Sequence, residues 1–218
     1  MNELLTKNLN ETITAGSLAL TPLPLCPEIS LYLISADYPK GRLPDEEMHA
    51  IIDRPAYWAF CWASGQVLAA HIVANPETCR DKTVLDLGAG SGVVAIAAAI
   101  SGATSVIACD LDNHALDACI VNSKANHVEL DTLENLELCV NKVDLLIAAD
   151  VLYDQENIPW LQQLGSYADE VLIADSRIRD ENVFREFEKI GDINATTIPD
   201  LDELKEFGDV SIYYKKYR

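Results

Sequence analysis

Val84-Leu85-Asp86-Leu87-Gly88-Ala89-Gly90-Ser91-Gly92-Val93-Val94 is the stretch whose reading decides the fold. It begins apolar and β-branched, places an acid third, and then alternates three glycines with small residues. That order describes a strand turning sharply into a helix. Glycine tolerates positive φ and carries no Cβ, so a ligand can lie directly against such backbone. The helix beyond it offers unpaired N–H groups and a positive dipole end to an anionic group. A strand is expected over residues 83–87. The helix over 92–100 is apolar on nearly every face and therefore buried, with Gly102 closing it.

Downstream, strands and helices alternate. Strands are expected at 105–109, within 128–135, at 143–148 and at 170–174. The helices between them fall at 112–126, capped by Asp112 or Asn113, at 158–165 and at 181–189. Two strands at 192–198 and 209–214 follow with only a short link. This alternation predicts an α/β fold: a mostly parallel Rossmann-like sheet with helices on both faces, closed at one edge by an antiparallel C-terminal hairpin. Upstream, the aromatic residues Tyr57, Trp58, Phe60 and Trp62 precede a short helix over 66–74 that stops at Asn75-Pro76. Residues 1–55 are punctuated by Pro22, Pro24, Pro27, Pro39 and Pro44, and only 29–34 looks regular. The expectation is one domain over 1–218, with an N-terminal arm (1–55) packed on a catalytic core (56–218).

Composition narrows the function classes. The chain has 218 residues, 49% hydrophobic and 23% charged, which is globular and not disordered. Its 16 Lys and Arg against 35 Asp and Glu give a net charge of −19. Phosphate backbones are bound through Lys and Arg, so a nucleic-acid substrate is disfavoured, whereas a basic or lysine-presenting partner is steered favourably. No apolar run is long enough to span a bilayer and no secretory signal pattern stands out, so a cytoplasmic protein is expected. The six cysteines form no C-x-x-C pair and read as reduced, and the four histidines have no metal-ligand spacing, so no metal is expected.

Spacing then chooses between two nucleoside cofactors. The dinucleotide fingerprint is Gly-x-Gly-x-x-Gly, and its third glycine would fall at Val93. Here the glycines are Gly88, Gly90 and Gly92, with Asp86 two residues ahead. That Asp-x-Gly-x-Gly-x-Gly pattern resembles the seven-stranded S-adenosylmethionine-dependent methyltransferases. The resemblance implies that Asp86, Gly88, Ala89, Gly90 and Gly92 cradle S-adenosyl-L-methionine and release S-adenosyl-L-homocysteine. Asp110, at the end of the second strand, is placed to accept hydrogen bonds from both ribose hydroxyls, with Leu111 beside it. In such proteins a polar residue after the third strand meets the adenine amino group, and Asn135 is the candidate, with Glu134 adjacent.

Where the strand over 143–148 leaves the sheet, the chain reads Ala149-Asp150-Val151-Leu152-Tyr153-Asp154. Ligands of open α/β sheets bind outside the carboxyl ends of strands, where strand order reverses, so Asp150 and Tyr153 are placed to face the methyl donor. This Asp-x-x-Tyr, together with Trp62-Ala63-Ser64-Gly65-Gln66 and the glycine loop, resembles the lysine methyltransferases acting on the β subunit of electron transfer flavoprotein, and their bacterial relatives. Those relatives tend to carry Trp-Pro-Gly-Gly-Gln at the aromatic segment. The resemblance implies Trp62 as a wall of the cofactor site, an indole face being suited to a sulfonium. It also implies Asp150 and Tyr153 as the groups that draw in and orient a lysine amine while its proton leaves to water or to Asp150. Asp175-Ser176-Arg177, on the same sheet edge, is open to two readings: a cap for the next helix or a substrate contact.

The expected function is therefore protein-lysine N-methylation. A small-molecule N-methyltransferase on the same fold and a non-catalytic cofactor-binding protein are the competing readings.

Overall fold

The computed structural model describes residues 2–38, 45–153, 155–200 and 205–217. Helix α1 (Glu3–Asn10) leads into a hairpin of β1 (Leu18–Pro22) and β2 (Ser30–Ile34), followed by α2 (Asp45–Asp53) and α3 (Ala63–Ala74). The central layer then runs β3 (Thr83–Leu87), α4 (Val93–Ile100), β4 (Ser105–Cys109), α5 (Asn113–Ala125), β5 (Asp131–Leu133), β6 (Val143–Ala149), β7 (Ala168–Asp175), β8 (Glu188–Asn194) and β9 (Asp209–Lys216). The large sheet has seven strands in the order β5-β4-β3-β6-β7-β9-β8. Strands β5 to β7 are parallel, and β9 lies antiparallel to both β7 and β8. Strand order reverses between β3 and β6, which sets the crevice where a ligand of such a sheet sits.

The two faces of the sheet are filled differently. On one, Val84, Val106, Ala108, Leu145 and Ile147 pack against α3 and α4. Residues 93–98 of α4 are all buried, as an all-round apolar helix must be. On the other face, Leu85, Leu146, Ala148 and Ile173 meet Leu152, Leu161, Leu164 and Phe184. Those four come from short 3-10 turns, not from α-helices.

The N-terminal residues are more ordered than their prolines suggest. Leu5 and Leu9 of α1 are fully buried against Ala115, Ala118 and Val121 of α5. Two asparagines one helical turn apart on α5 grip β2. Asn122 Oδ1 accepts from Tyr32 N–H at 2.8 Å. Asn126 accepts from Ser30 N–H at 2.9 Å and donates to Ser30 O at 2.7 Å.

Several expected boundaries are corrected. The helix expected over 158–165 is instead a pair of 3-10 turns, Gln155–Gln162 and Leu164–Ser166, because Pro159 removes an N–H and clashes with an α-helical preceding turn. The helix expected over 181–189 ends as a 3-10 turn at Phe184, and Glu188 already begins β8. There Phe184 stacks on Tyr213 of β9, ring centroids 3.9 Å apart, so tertiary packing overrides local propensity. The strand expected over 192–198 stops at Asn194; Ile198 instead exchanges backbone bonds of 2.9 and 2.8 Å with Cys61. The strand sought within 128–135 is only Asp131–Leu133, and α3 starts three residues earlier than expected. The arm expected to hold one regular segment, 29–34, holds α1, α2 and a hairpin of which that segment is the second strand.

Candidate active site

The loop after β3 is built from backbone that only glycine adopts freely. Gly88, Gly90 and Gly92 have φ of 70°, 52° and 79°. Gly88 N–H and Ala89 N–H donate to Cys109 O at 2.8 and 3.1 Å, which ties the loop to the end of β4. Asn122 donates to Ser91 O at 2.9 Å from the opposite side. Asp86 is buried beneath the loop, and its Oδ2 accepts from Ala95 N–H of α4 at 2.9 Å. Burial pushes the Asp86 carboxyl up to about 7, against the opposing pull of that N–H.

Asp110 follows directly. Its Oδ2 accepts from Gly90 N–H at 2.9 Å and its Oδ1 from Asp112 N–H at 3.0 Å. Burial raises this carboxyl, and the two N–H groups partly offset the rise. Each oxygen retains acceptor capacity for a ribose hydroxyl. A Cβ built on Gly90 would meet only Gly88 O, at 3.9 Å, so the loop beside Asp110 faces open space that a side chain would fill. Leu111 is 80% exposed next to it, an apolar side chain turned to the surface. The cradle therefore fits a nucleoside. Asn135 stands two residues past Leu133, whose carbonyl holds Asp110 N–H at 3.1 Å. Its Oδ1 accepts from Glu137 N–H at 3.0 Å, which makes it the cap of the next turn.

Across the reversal point, Asp150 directly follows β6 with φ of 54°, an uncommon conformation for a residue with a Cβ. Its Oδ1 accepts from Ser64 Oγ at 2.6 Å and from Ser176 Oγ at 2.9 Å. Longer N–H contacts of 3.3 Å run from Ser176 to Oδ1 and from Ser64 to Oδ2. The glycine loop and this segment press together, for a Cβ on Gly88 would lie 2.6 Å from Val151 Cγ1. Tyr153 closes the 3-10 turn Val151–Tyr153. Its side chain, and Asp154 altogether, lie outside the described residues.

Trp62 is the N-cap of α3, and its indole Nε1 donates to Tyr57 O at 3.0 Å. Its ring meets Tyr57 edge-on and Phe60 at a tilt, both with centroids 5.7 Å away. Two residues on, Ser64 holds Asp150, and Gly65 packs α3 so closely on α4 that a Cβ would lie 3.1 Å from Val93. Trp62 thus opens the helix whose first turn reaches Asp150. Gln66, fully buried, accepts from Leu25 N–H at 3.2 Å and donates to Thr196 O at 3.1 Å, a structural brace. Asp175 Oδ1 accepts from the N–H groups of Arg177 and Ile178 at 2.8 and 2.6 Å and so holds the bend after β7, but the cap of the next helical turn, Glu181–Phe184, is Asp180 and not this segment. Its Oδ2 is buried without a hydrogen-bond partner among the described residues. Burial, then the Asp150 charge, raise this carboxyl. Among the described residues no three His, Cys, Asp or Glu side chains group as metal ligands would, and no helix is long and apolar enough to cross a membrane.

Comparison with known proteins gives this edge a lineage. The electron transfer flavoprotein beta subunit lysine methyltransferase of Rattus norvegicus is 36% identical over 159 residues, 69% of this chain. The chain spans about three fifths (61%) of that relative's length. The Danio rerio protein of the same name is 32% identical over 206 residues, covering 88% of this chain and 77% of its own. The chain belongs to the electron transfer flavoprotein beta subunit lysine methyltransferase family. The ribosomal protein L11 methyltransferase (PrmA) family model also matches residues 72–155, the stretch from α3 through Asp150. A ribosomal protein L11 methylase from Lactobacillus delbrueckii subsp. bulgaricus shares the fold, with a TM-score of 0.55 at 22% identity over 71% of this chain and 79% of its own.

In this member of the family, two residues that sequence reasoning did not single out hold the Asp150 carboxylate. Ser64 was visible only as a departure from Trp-Pro-Gly-Gly-Gln. Ser176 was visible only as the residue after Asp175. Asn122, which links the loop to the N-terminal hairpin, carried no signal beyond an asparagine inside a helix.

Proposed function

We propose that this chain is an S-adenosylmethionine-dependent protein-lysine N-methyltransferase. The observation that carries the reading is the meeting of two half-sites across the β3/β6 reversal: the glycine loop with Asp110, and the Asp150 segment, whose Val151 packs on Gly88. When bound, S-adenosylmethionine supplies a methyl group made electrophilic by its sulfonium sulfur.

The chain's own residues do the rest. Gly88, Ala89, Gly90 and Gly92 bring backbone close to the cofactor, and Asp110 takes the ribose hydroxyls. Leu111 and Asn135 flank the adenine, and Trp62 walls the end nearest Asp150. Asp86 supports the loop from below. A lysine ammonium is protonated at neutral pH and must lose a proton before it can attack. Asp150 attracts the ammonium and, once a proton has left, accepts a hydrogen bond from a remaining N–H of the neutral amine, so that the freed lone pair is aimed at the methyl carbon. The proton departs to water or to Asp150, and Tyr153 orients the amine. Because methyl transfer is an in-line displacement, holding the nitrogen in line is where the protein gains most of its rate.

The acidic surface, at −19 net, suits a lysine-rich protein acceptor better than a nucleic acid. The electron transfer flavoprotein β subunit, named in the relatives, is the first acceptor to test. Six free cysteines, five of them buried, support a reducing, cytoplasmic setting. The test is incubation with methyl-labelled cofactor and that subunit, a cell lysate or a metabolite panel. Label is expected in protein lysines. Label confined to small molecules would replace the acceptor class, and binding without transfer would leave a scaffold. Asp150→Asn is expected to lower turnover at least about a hundredfold while S-adenosylhomocysteine still binds; normal turnover would move the chemistry elsewhere.

A further inference from the structure

The hydrogen bonds to Asp150 are unevenly shared. Oδ1 receives both hydroxyls, at 2.6 Å from Ser64 and 2.9 Å from Ser176, plus the Ser176 N–H at 3.3 Å. Among the described residues, Oδ2 receives only the Ser64 N–H, at 3.3 Å. A carboxylate oxygen has two good acceptor directions, so two short O–H bonds fill Oδ1, while Oδ2 keeps capacity for another donor. The two hydroxyls come from opposite sides: Ser64 sits in the first turn of α3, and Ser176 follows β7. Both serines are buried, at 0% and 1% exposure, whereas Asp150 itself is half-buried. Buried hydroxyls have no water to bond instead, so they hold their acceptor.

We propose that Ser64 and Ser176 are positioning residues that clamp Asp150 Oδ1 and thereby present Oδ2 to the amine of the methyl acceptor. The proposal rests on the methyltransferase reading. Without the two hydroxyls, Asp150 sits just past the end of β6 with only the two 3.3 Å N–H contacts to hold it, so the carboxylate spreads over several rotamers. With them, α3 and β7 fix the carboxylate from both flanks, and only one oxygen is left to meet the substrate. An attacking nitrogen held by that oxygen inherits its position. Displacing reacting groups by about 1 Å can cost on the order of a hundredfold in rate, which is the scale the clamp protects.

The test uses Ser64→Ala, Ser176→Ala and the double variant, each retaining the backbone N–H. Either hydroxyl alone can still hold Oδ1, so each single variant is expected to lose less than about tenfold in kcat. The double variant should lose about a hundredfold or more, beyond the product of the singles. Affinity for S-adenosylhomocysteine should stay within twofold of wild type, since neither serine belongs to the cofactor cradle. A double variant whose loss equals the product of small single losses, or whose loss lies in cofactor affinity instead of kcat, would overturn the clamp. A crystal structure of the double variant supplies a readout independent of turnover: the Asp150 carboxylate should occupy more than one rotamer, and a single unchanged rotamer would also overturn it. A wild-type chain that methylates no acceptor would sink the enzymatic reading instead, and the rotamer result would still decide whether the serines hold the side chain.

Discussion

Asp86→Asn turns the burial of one carboxyl into a measurable pH dependence. Asp86 is 2% exposed, and burial lifts it from the ordinary 3.8 to about 7. A raised carboxyl binds its proton more tightly folded than unfolded, so its contribution to stability is full below the unfolded value. That contribution is lost as pH rises through the window from about 4 to about 7. Each pH unit inside the window is worth about 1.4 kcal/mol. Between pH 5, already above the unfolded value, and pH 8, beyond the folded one, about two units of slope remain, or roughly 3 kcal/mol. Asparagine cannot titrate, and its Oδ1 can still accept the Ala95 N–H. The stability of the variant minus that of the wild type should therefore rise by roughly 3 kcal/mol from pH 5 to pH 8. For a chain of this size that corresponds to a relative gain of about 6–12 °C in Tm. Urea unfolding followed by circular dichroism at both pH values measures it. Taking the difference between the two proteins cancels the titration of the remaining acids. A difference that does not change with pH would mean that folded Asp86 titrates like an exposed acid, and the burial argument would fail.

Other outcomes follow from the same geometry. Asp110→Ala removes the expected ribose acceptor and leaves Gly90 N–H unpaired. It should weaken S-adenosylhomocysteine binding by about 2–4 kcal/mol in a calorimetric titration, and wild-type affinity would remove Asp110 from the site. Gly88→Ala combines a φ of 70° with a Cβ 2.6 Å from Val151 Cγ1, so the loop and the Asp150 segment must part. A stability loss of about 1–3 kcal/mol with impaired cofactor binding is expected by thermal melting and calorimetry, and an unaffected variant would show that the two segments do not need their contact.

The parts of the fold that could be read in advance share a physical character. Residues 83–125 carry their own punctuation: β-branched strands, glycines at positive φ, and an aspartate cap whose side chain accepts from His114 N–H. Each is a local rule, so β3, α4, β4 and α5 fall within a residue or so of expectation. Beyond Asp150 the local signals weaken, and Phe184 stacking on Tyr213 decides what a helical-looking segment becomes. Of the N-terminal hairpin, β2 was legible as the regular segment 29–34, whereas β1, which ends in Pro22, takes its order from pairing with β2 across the turn. At the site, Asp110 and Asp150 were legible because their places are set by strand ends. Ser64 and Ser176 were not, since they are 86 and 26 residues from Asp150 and serine has no periodicity to betray it.

Asn122 deserves a last word for what it joins. One end of its amide holds Tyr32 N–H of the hairpin and the other holds Ser91 O of the glycine loop. Two layers that could have opened independently therefore share a rivet. A nucleoside that quiets the loop must also slow the peeling of the hairpin from α5, and slower amide exchange at Tyr32 would register an occupant more than one layer away. The same thermodynamic reciprocity runs backward: loosening the first thirty-odd residues would be felt as a weaker grip on the cofactor.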